Sequence, residues 1–397
     1  MTILGHDEAE LQNRGALWTA REIAQQPAML RRTQGALLAG KDALDSFLRP
    51  LLDRPTTRVI LTGAGTSSFI GEILAPYLSA KLPCRVEAIA TTDLVCAPYL
   101  YFEPRTPTLL VSFGRSGDSP ESVAAVDLAD QVVADVHHLA ITCNPNGALA
   151  RKLATSGKGR AILLPEETND RSFAMTSSFS CMLYAALAAL SIDDMAVRIE
   201  YVARATQDVI ATQAGAMRTL AGKGYERVVY LGSHILKGLA REAALKLTEL
   251  TDGGVIAVYD SPMGFRHGPK TVVNGKTLVV IFLSNHLYAR RYDLDLLDEI
   301  RRDGRHGGLL VVSAQETDIP VDVDRILVPA MHDADDVDLL IPFIAAPQIF
   351  AFESSLARGL SPDSPNKSGT VNRVVQGVRI HPLGVPDAVQ RERTKDD

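Results

Sequence analysis

Hydrophobic positions in this chain cluster in short unbroken runs separated by longer amphipathic stretches. Arg58-Val59-Ile60-Leu61-Thr62 is one such run, and Thr108 to Phe113, His138 to Cys143 and Ala161 to Leu164 are three more. Runs without polar alternation read as strands covered on both faces, as in a parallel sheet. Phe69 to Ala80, between the first two, reads as helix. A glycine–hydroxyl loop, Gly63-Ala64-Gly65-Thr66-Ser67-Ser68, follows the first strand, and Gly114-Arg115-Ser116-Gly117-Asp118-Ser119-Pro120-Glu121-Ser122 follows the second. Strand, loop and helix in this succession predict an α/β fold with helices on both faces of a parallel sheet.

The second half repeats the first. Arg227-Val228-Val229-Tyr230-Leu231-Gly232-Ser233 answers Arg58 to Ala64 at an offset of 169 residues, and Thr277 to Phe282 answers Thr108 to Phe113 at the same offset. Leu309 to Ser313 falls near the next expected strand. Buried strands resemble one another by composition alone, but the shared Arg before and Gly after the strand favour internal duplication. The chain divides into a helical arm (1–50), a first domain (51–212), a second domain (213–355) and a tail (356–397). In the arm, Pro27 is expected to open a helix. The last ten residues are polar and read as frayed.

One helix concentrates charge. Arg241-Glu242-Ala243-Ala244-Leu245-Lys246-Leu247-Thr248-Glu249 has no Gly or Pro, and Glu242, Lys246 and Glu249 fall on one face at i, i+4, i+7. A solvated stripe is the common reading of such a triplet. A column of groups tuning one another's protonation is the other, and His267, braced by Gly268-Pro269, would add a second acid/base group.

Composition narrows the field. Across 397 residues the formal net charge is −6, with 46% hydrophobic and 22% charged residues, so there is no basic field for nucleic acid. No run of about 18 apolar residues predicts a membrane span. Met1 to Glu10 is not expected to act as a secretory signal. Cys84, Cys96, Cys143 and Cys181 have no C-x-x-C or metal-ligand spacing and read as reduced thiols of a cytoplasmic protein. His332 with Asp333, Asp335, Asp336 and Asp338 reads as a solvated acidic turn, and no metal is expected.

The two loops suit an oxyanion. Ligands of open α/β sheets sit beyond the carboxyl ends of the strands, where helix N-termini and hydroxyls can hold phosphate. Thr66, Ser67 and Ser68 form one candidate set, and Ser112, Ser116 and Ser119 another, with Arg115 as a charge to clamp an oxyanion. Neither loop is a Walker A sequence or a complete dinucleotide fingerprint. A phosphate monoester on a small metabolite fits better than a nucleotide, while helix capping is the alternative use of the same hydroxyls.

Gly63-Ala64-Gly65-Thr66-Ser67 and Arg115-Ser116-Gly117-Asp118-Ser119 resemble the two phosphosugar loops of the sugar isomerase (SIS) domain family. Glu242 to Glu249 with His267-Gly268-Pro269 resembles the catalytic stretch of the isomerase half of glucosamine-6-phosphate synthase. Ser172 to Ser178, Tyr259 to Pro269 and Ser368 to Gly377 are most similar to the galactosamine-6-phosphate deaminase/isomerase branch, also described as tagatose-6-phosphate ketose/aldose isomerase. The resemblance covers about residues 15–380 and implies two tandem SIS domains, each a flavodoxin-like three-layer sandwich. Gly114 and Arg115 stand where the synthase has Ser and Gln, Ser177 where it has Lys, and Lys367 aligns with its tail lysine.

The resemblance implies a sugar-phosphate isomerase and deaminase without a cofactor, working as a homodimer or higher homo-oligomer. Gly65, Thr66, Ser67, Arg115, Ser116 and Ser119 would bind the substrate phosphate. Glu249 would carry the proton between C1 and C2, a task suited to a carboxylate raised by partial burial. Lys246 and Glu242 would hold and tune it, His267 would open the sugar ring from the neighbouring subunit, and Lys367 would join the site from the tail. Galactosamine 6-phosphate is the expected substrate. An isomerase of a neutral sugar phosphate and a non-catalytic phosphosugar-binding regulator are the alternatives; the intact Glu249 and His267 and the lack of a basic recognition helix favour an enzyme.

Overall fold

The computed structural model describes residues 2–191, 195–375 and 377–384. The polar end of the tail and Gln376 lie outside the described residues. A hairpin of β1 (Thr2–Ile3) and β2 (His6–Asp7) precedes the helices of the arm, which the sequence alone does not announce. Pro27 sits in the first turn of the helix Gln26–Ala39, as expected.

Two five-stranded sheets follow. The first comprises β3 (Arg58–Thr62), β4 (Arg85–Ala88), β5 (Thr108–Gly114), β6 (Val136–Thr142) and β7 (Gly159–Leu163), in the spatial order β4-β3-β5-β6-β7. The second comprises β8 (Arg227–Gly232), β9 (Ile256–Asp260), β10 (Thr277–Phe282), β11 (Gly308–Ser313) and β12 (Asp324–Leu327), in the order β9-β8-β10-β11-β12. All pairings within both sheets are parallel, and the strand order is the same. These are the two tandem α/β units that the apolar runs predict. In each, the chain reverses its direction of travel between the first and third strands, β3 and β5 or β8 and β10, which opens a crevice at their carboxyl ends.

A continuous helix, Met195–Gly222, spans the point at which the sequence divides its two domains, and packs along the final helix Asp336–Ala357. By length and composition Asp336–Ala357 is able to cross a membrane, but its apolar window is wholly buried inside the protein. The largest hydrophobic core runs through both halves, while smaller clusters seal the opposite face of each sheet.

The contact between the halves places the chemistry. The helix Ile235–Leu250 lies against the helix Thr66–Lys81. Gly238 is at the crossing, where a Cβ would lie 2.6 Å from Ile73 Cγ1. Arg241 stacks on Phe69, 4.2 Å from its ring centre, and pairs with Glu72. Glu242 and Lys246 of the charged column are thus buried instead of solvated, and Glu249 is partly exposed.

Candidate active site

The loop after β3 is shaped by two glycines. At Gly63 a Cβ would meet the Ser67 backbone at 2.6 Å, and Gly65 takes φ 56° immediately before the helix Thr66–Lys81. Ser67 faces the loop after β5: Ser67, Arg115, Ser116 and Ser119 line one pocket of about 120 Å³, together with Met175 and the tail residues Arg373 to Val375. Gly65 and Thr66 are not in its lining. Thr66 is buried, its hydroxyl has no hydrogen-bond partner of good geometry among the described residues, and it is a neighbour of the Glu242 carboxyl.

The serines also serve the fold. The Ser119 hydroxyl caps the helix Pro120–Val132, accepting from the Ser122 N–H at 3.3 Å and donating to the Ser122 hydroxyl at 2.7 Å. Ser116 Oγ accepts from the Asp118 N–H at 3.3 Å. Both uses, capping and anion binding, are thus open to the same hydroxyls.

Arg115 is buried beneath the pocket. Its guanidinium donates to the carbonyls of Ser172 (3.3 Å), Phe173 (3.2 Å) and Arg373 (2.8 Å), tying the loop to the tail. Burial, then the nearby Arg373 cation, lowers its pKa, against the opposing fields of Asp170 and Glu249. Arg373 in turn donates to Asp170 O at 2.8 Å and to Asn169 Oδ1 at 2.9 Å.

The carboxylate column is linked to both loops: Thr66 is a neighbour of Glu242, and the Glu249 charge acts on Arg115. Glu242 and Lys246 are wholly buried, and Glu249 is partly exposed. Lys246 Nζ lies 3.5 Å from Glu242 Oε1 and 2.5 Å from Glu249 Oε2. Neither Glu242 oxygen has a hydrogen-bond partner of good geometry among the described residues. Burial pushes its carboxyl up to about 7, with Lys246 pulling against and Glu249 adding to the push. Burial alone would lower the Lys246 ammonium, but Glu242 and Glu249 outweigh it and raise its pKa. The solvated stripe is thus excluded for Glu242 and Lys246.

His267 and Lys367 stand apart. Both are exposed, and neither side chain has a hydrogen-bond or ion-pair partner among the described residues. Asn366, beside Lys367, donates to Asp252 at 2.8 Å. No group of three His, Cys, Asp or Glu side chains among the described residues could hold a metal ion. The acidic turn departs from its expected solvation. Asp333 and Asp335 are exposed, but Asp336 and Asp338 are buried, because the helix start docks them onto His234 and Arg198.

The SIS domain model matches residues 54–192. D-galactosamine-6-phosphate deaminase AgaS of Escherichia coli is 47% identical over 367 residues, covering 92% of this chain and 96% of the relative. The chain belongs to the AgaS family of SIS-domain proteins. AgaS of Shewanella sp. is 43% identical over 377 residues, covering 94% of each chain. The crystal structure of tagatose-6-phosphate ketose/aldose isomerase from Escherichia coli superposes with a TM-score of 0.89 at 43% identity, covering 97% of this chain and all of that one.

In this AgaS-family chain, two buried acids brace the pocket that sequence reasoning did not single out. Asp170 accepts from the Thr176 N–H (2.8 Å), the Ser178 N–H (2.9 Å) and the hydroxyls of Ser177 and Ser178 (2.5 Å each), which starts the helix Ser177–Leu190. Ser177, in the place of the synthase lysine, is therefore a capping partner here. Glu22 accepts from the N–H groups of Arg171 (2.5 Å) and Ser172 (3.2 Å), and is pushed up to about 8 by burial and by Asp170. Asp363 in the tail accepts from the N–H groups of Trp18 and Thr19, closing the arm over the same segment. Nothing local in the sequence marks these acids, since their partners lie in other segments.

Proposed function

We propose that this chain isomerises and deaminates an amino-sugar 6-phosphate, with galactosamine 6-phosphate as substrate and tagatose 6-phosphate and ammonia as products. The observation that carries the reading is the buried Glu242–Lys246 pair beside Glu249, with Glu242 next to Thr66 and Glu249 acting on Arg115, a residue of the hydroxyl-lined pocket. The names of the two deaminase relatives supply the substrate.

Ser67, Ser116, Ser119 and the helix N-termini take the phosphate, with Gly65 shaping the turn and Arg115 fixing the pocket's wall. Thr66 faces Glu242. In the open-chain sugar, Glu249 removes the C2 proton, and the electron pair forms the C1–C2 double bond as the C1 carbonyl pair moves onto O1, which takes a proton, giving an enolamine. Reprotonation at C1 leaves an iminium at C2. Water adds there, and ammonia leaves as the C2 carbonyl forms. Lys246 holds Glu249 in place, and Glu242 tunes both through its own protonation. His267 opens the ring in a homodimer, where its exposed position on one chain serves the partner's site. Lys367 joins from the tail. The tail is a fourth segment beside the arm and two domains divided near residue 212.

A second reading, isomerisation of a neutral ketose phosphate without deamination, is favoured by the name of the solved relative. Ammonia release and ketose formation are to be measured across the 6-phosphates of galactosamine, glucosamine, galactose and tagatose. The main reading predicts ammonia from galactosamine 6-phosphate at the highest kcat/KM. Interconversion of the neutral sugars with no ammonia from either amino sugar would replace it with the second.

A further inference from the structure

The second sheet has the same switch point as the first, and its loops occupy equivalent places. His234 follows β8 as Gly65 follows β3, at the offset of 169 residues. The backbone agrees: φ 41°, ψ −117° at His234 and φ 56°, ψ −131° at Gly65, each immediately before a helix that enters the contact between the halves. Ser284 and Asn285 follow β10 as Arg115 and Ser116 follow β5. In the first domain this geometry forms an open pocket.

In the second domain the equivalent donors are already taken. Asp336 Oδ2 is 2.8 Å from His234 Nε2 and accepts from the Ser284 hydroxyl at 2.5 Å, while Oδ1 accepts from the Asn285 N–H at 2.7 Å. A backbone N–H after the third strand, a serine hydroxyl and a basic side chain converge on one carboxylate. This is the donor set that an oxyanion requires. Asp336 is buried and belongs to the first turn of the final helix, a separate element that delivers it into the crevice. Burial alone would raise its carboxyl, but the His234 and Ser284 contacts and the Asn285 N–H outweigh it and hold the pKa below the ordinary aspartate value.

We propose that the second crevice is an oxyanion site of the same class as the first, occupied by the chain's own Asp336 carboxylate. The built-in anion fixes the start of the helix Ile235–Leu250, which carries Glu242, Lys246 and Glu249. Asp336 is thus a positioning residue, and the site would take a small carboxylate or inorganic phosphate once that carboxylate is removed.

The test is Asp336→Ala with formate as the probe, at constant ionic strength against chloride. Formate should raise the Tm of the variant saturably and leave the Tm of the native chain unchanged. A folded variant whose Tm responds to formate no more than the native chain overturns the proposal. This arm does not depend on the catalysed reaction. The kinetic arm rests on the proposed activity: Asp336→Ala should lower kcat roughly 10-fold or more with KM little changed, since misplacing a catalytic group costs rate rather than affinity, and formate should restore it. If Asp336→Ala does not fold, Asp336→Asn keeps the volume without the anion. A kcat reduced at unchanged KM then supports the proposal, and a native kcat overturns it.

Discussion

Replacing Lys246 by Met removes the ammonium that lies 3.5 Å from Glu242 and 2.5 Å from Glu249 while retaining most of the buried stem. Removing one partner of a buried pair costs up to ~3–5 kcal/mol when the other must stay charged. Here the Glu242 carboxyl can take a proton instead, so the cost depends on pH. Its pKa is already raised from 4.5 to about 7 with the ammonium in place. A carboxyl raised on folding contributes stability that is complete below its unfolded pKa and is lost as pH rises through its folded pKa. In the native chain that loss runs from 4.5 to about 7 and then levels off, because Glu242 ionises beside Lys246. Without the ammonium the carboxyl stays protonated to higher pH, and each further unit costs ~1.4 kcal/mol. The gap between variant and native chain should therefore widen by ~2.7 kcal/mol between about pH 7 and about pH 9, for as long as Glu242 holds its proton. Urea unfolding of both proteins across this range measures the gap directly. A gap that stays constant would refute the assignment of Glu242 as a buried titrating group compensated by Lys246.

Ser116→Ala with Ser119→Ala should raise KM for the sugar phosphate roughly 100-fold, from two hydrogen bonds to a charged group at ~1.5 kcal/mol each; unchanged phosphosugar affinity in calorimetry would remove both from the phosphate site. Glu22→Gln should gain stability relative to the native chain as pH rises from 4.5 through about 8, because the native carboxyl loses its contribution over that interval. Equal Tm differences at the acidic and alkaline ends would contradict this. Gly238→Val should cost ~1–3 kcal/mol by overpacking the helix crossing; an unchanged unfolding midpoint would show that the crossing can relax.

The central strands β3, β5, β6, β8, β10 and β11 were legible because both faces are covered, so their sequences are continuous apolar runs. β4, β9 and β12 were not. They are short edge strands whose partly exposed positions break the apolar pattern, as at Arg85, Ile256 and Asp324. The spacing of Glu242, Lys246 and Glu249 placed them on one face, but only the packing of Gly238 against Ile73 shows that Glu242 and Lys246 are buried there while Glu249 keeps partial exposure. Asp336 illustrates the reverse case. Its neighbours Asp333 and Asp335 are exposed, and its burial follows from a helix start docked onto the ends of β8 and β10. Arg115 was readable as a cation in the second loop that could clamp an oxyanion, but its burial was not, because the carbonyls that hold it come from Ser172, Phe173 and Arg373, far away in sequence.

The central claim is that Glu249 moves the proton at C2. Glu249→Gln retains the shape and hydrogen-bonding capacity of the side chain and removes the base. With galactosamine 6-phosphate in deuterated solvent, NMR should show the native enzyme exchanging the C2 proton, and the variant should lose that exchange together with ~10²–10⁴-fold in kcat at nearly unchanged KM. Exchange at the native rate in Glu249→Gln would contradict the account and make Glu249 a structural partner of Lys246.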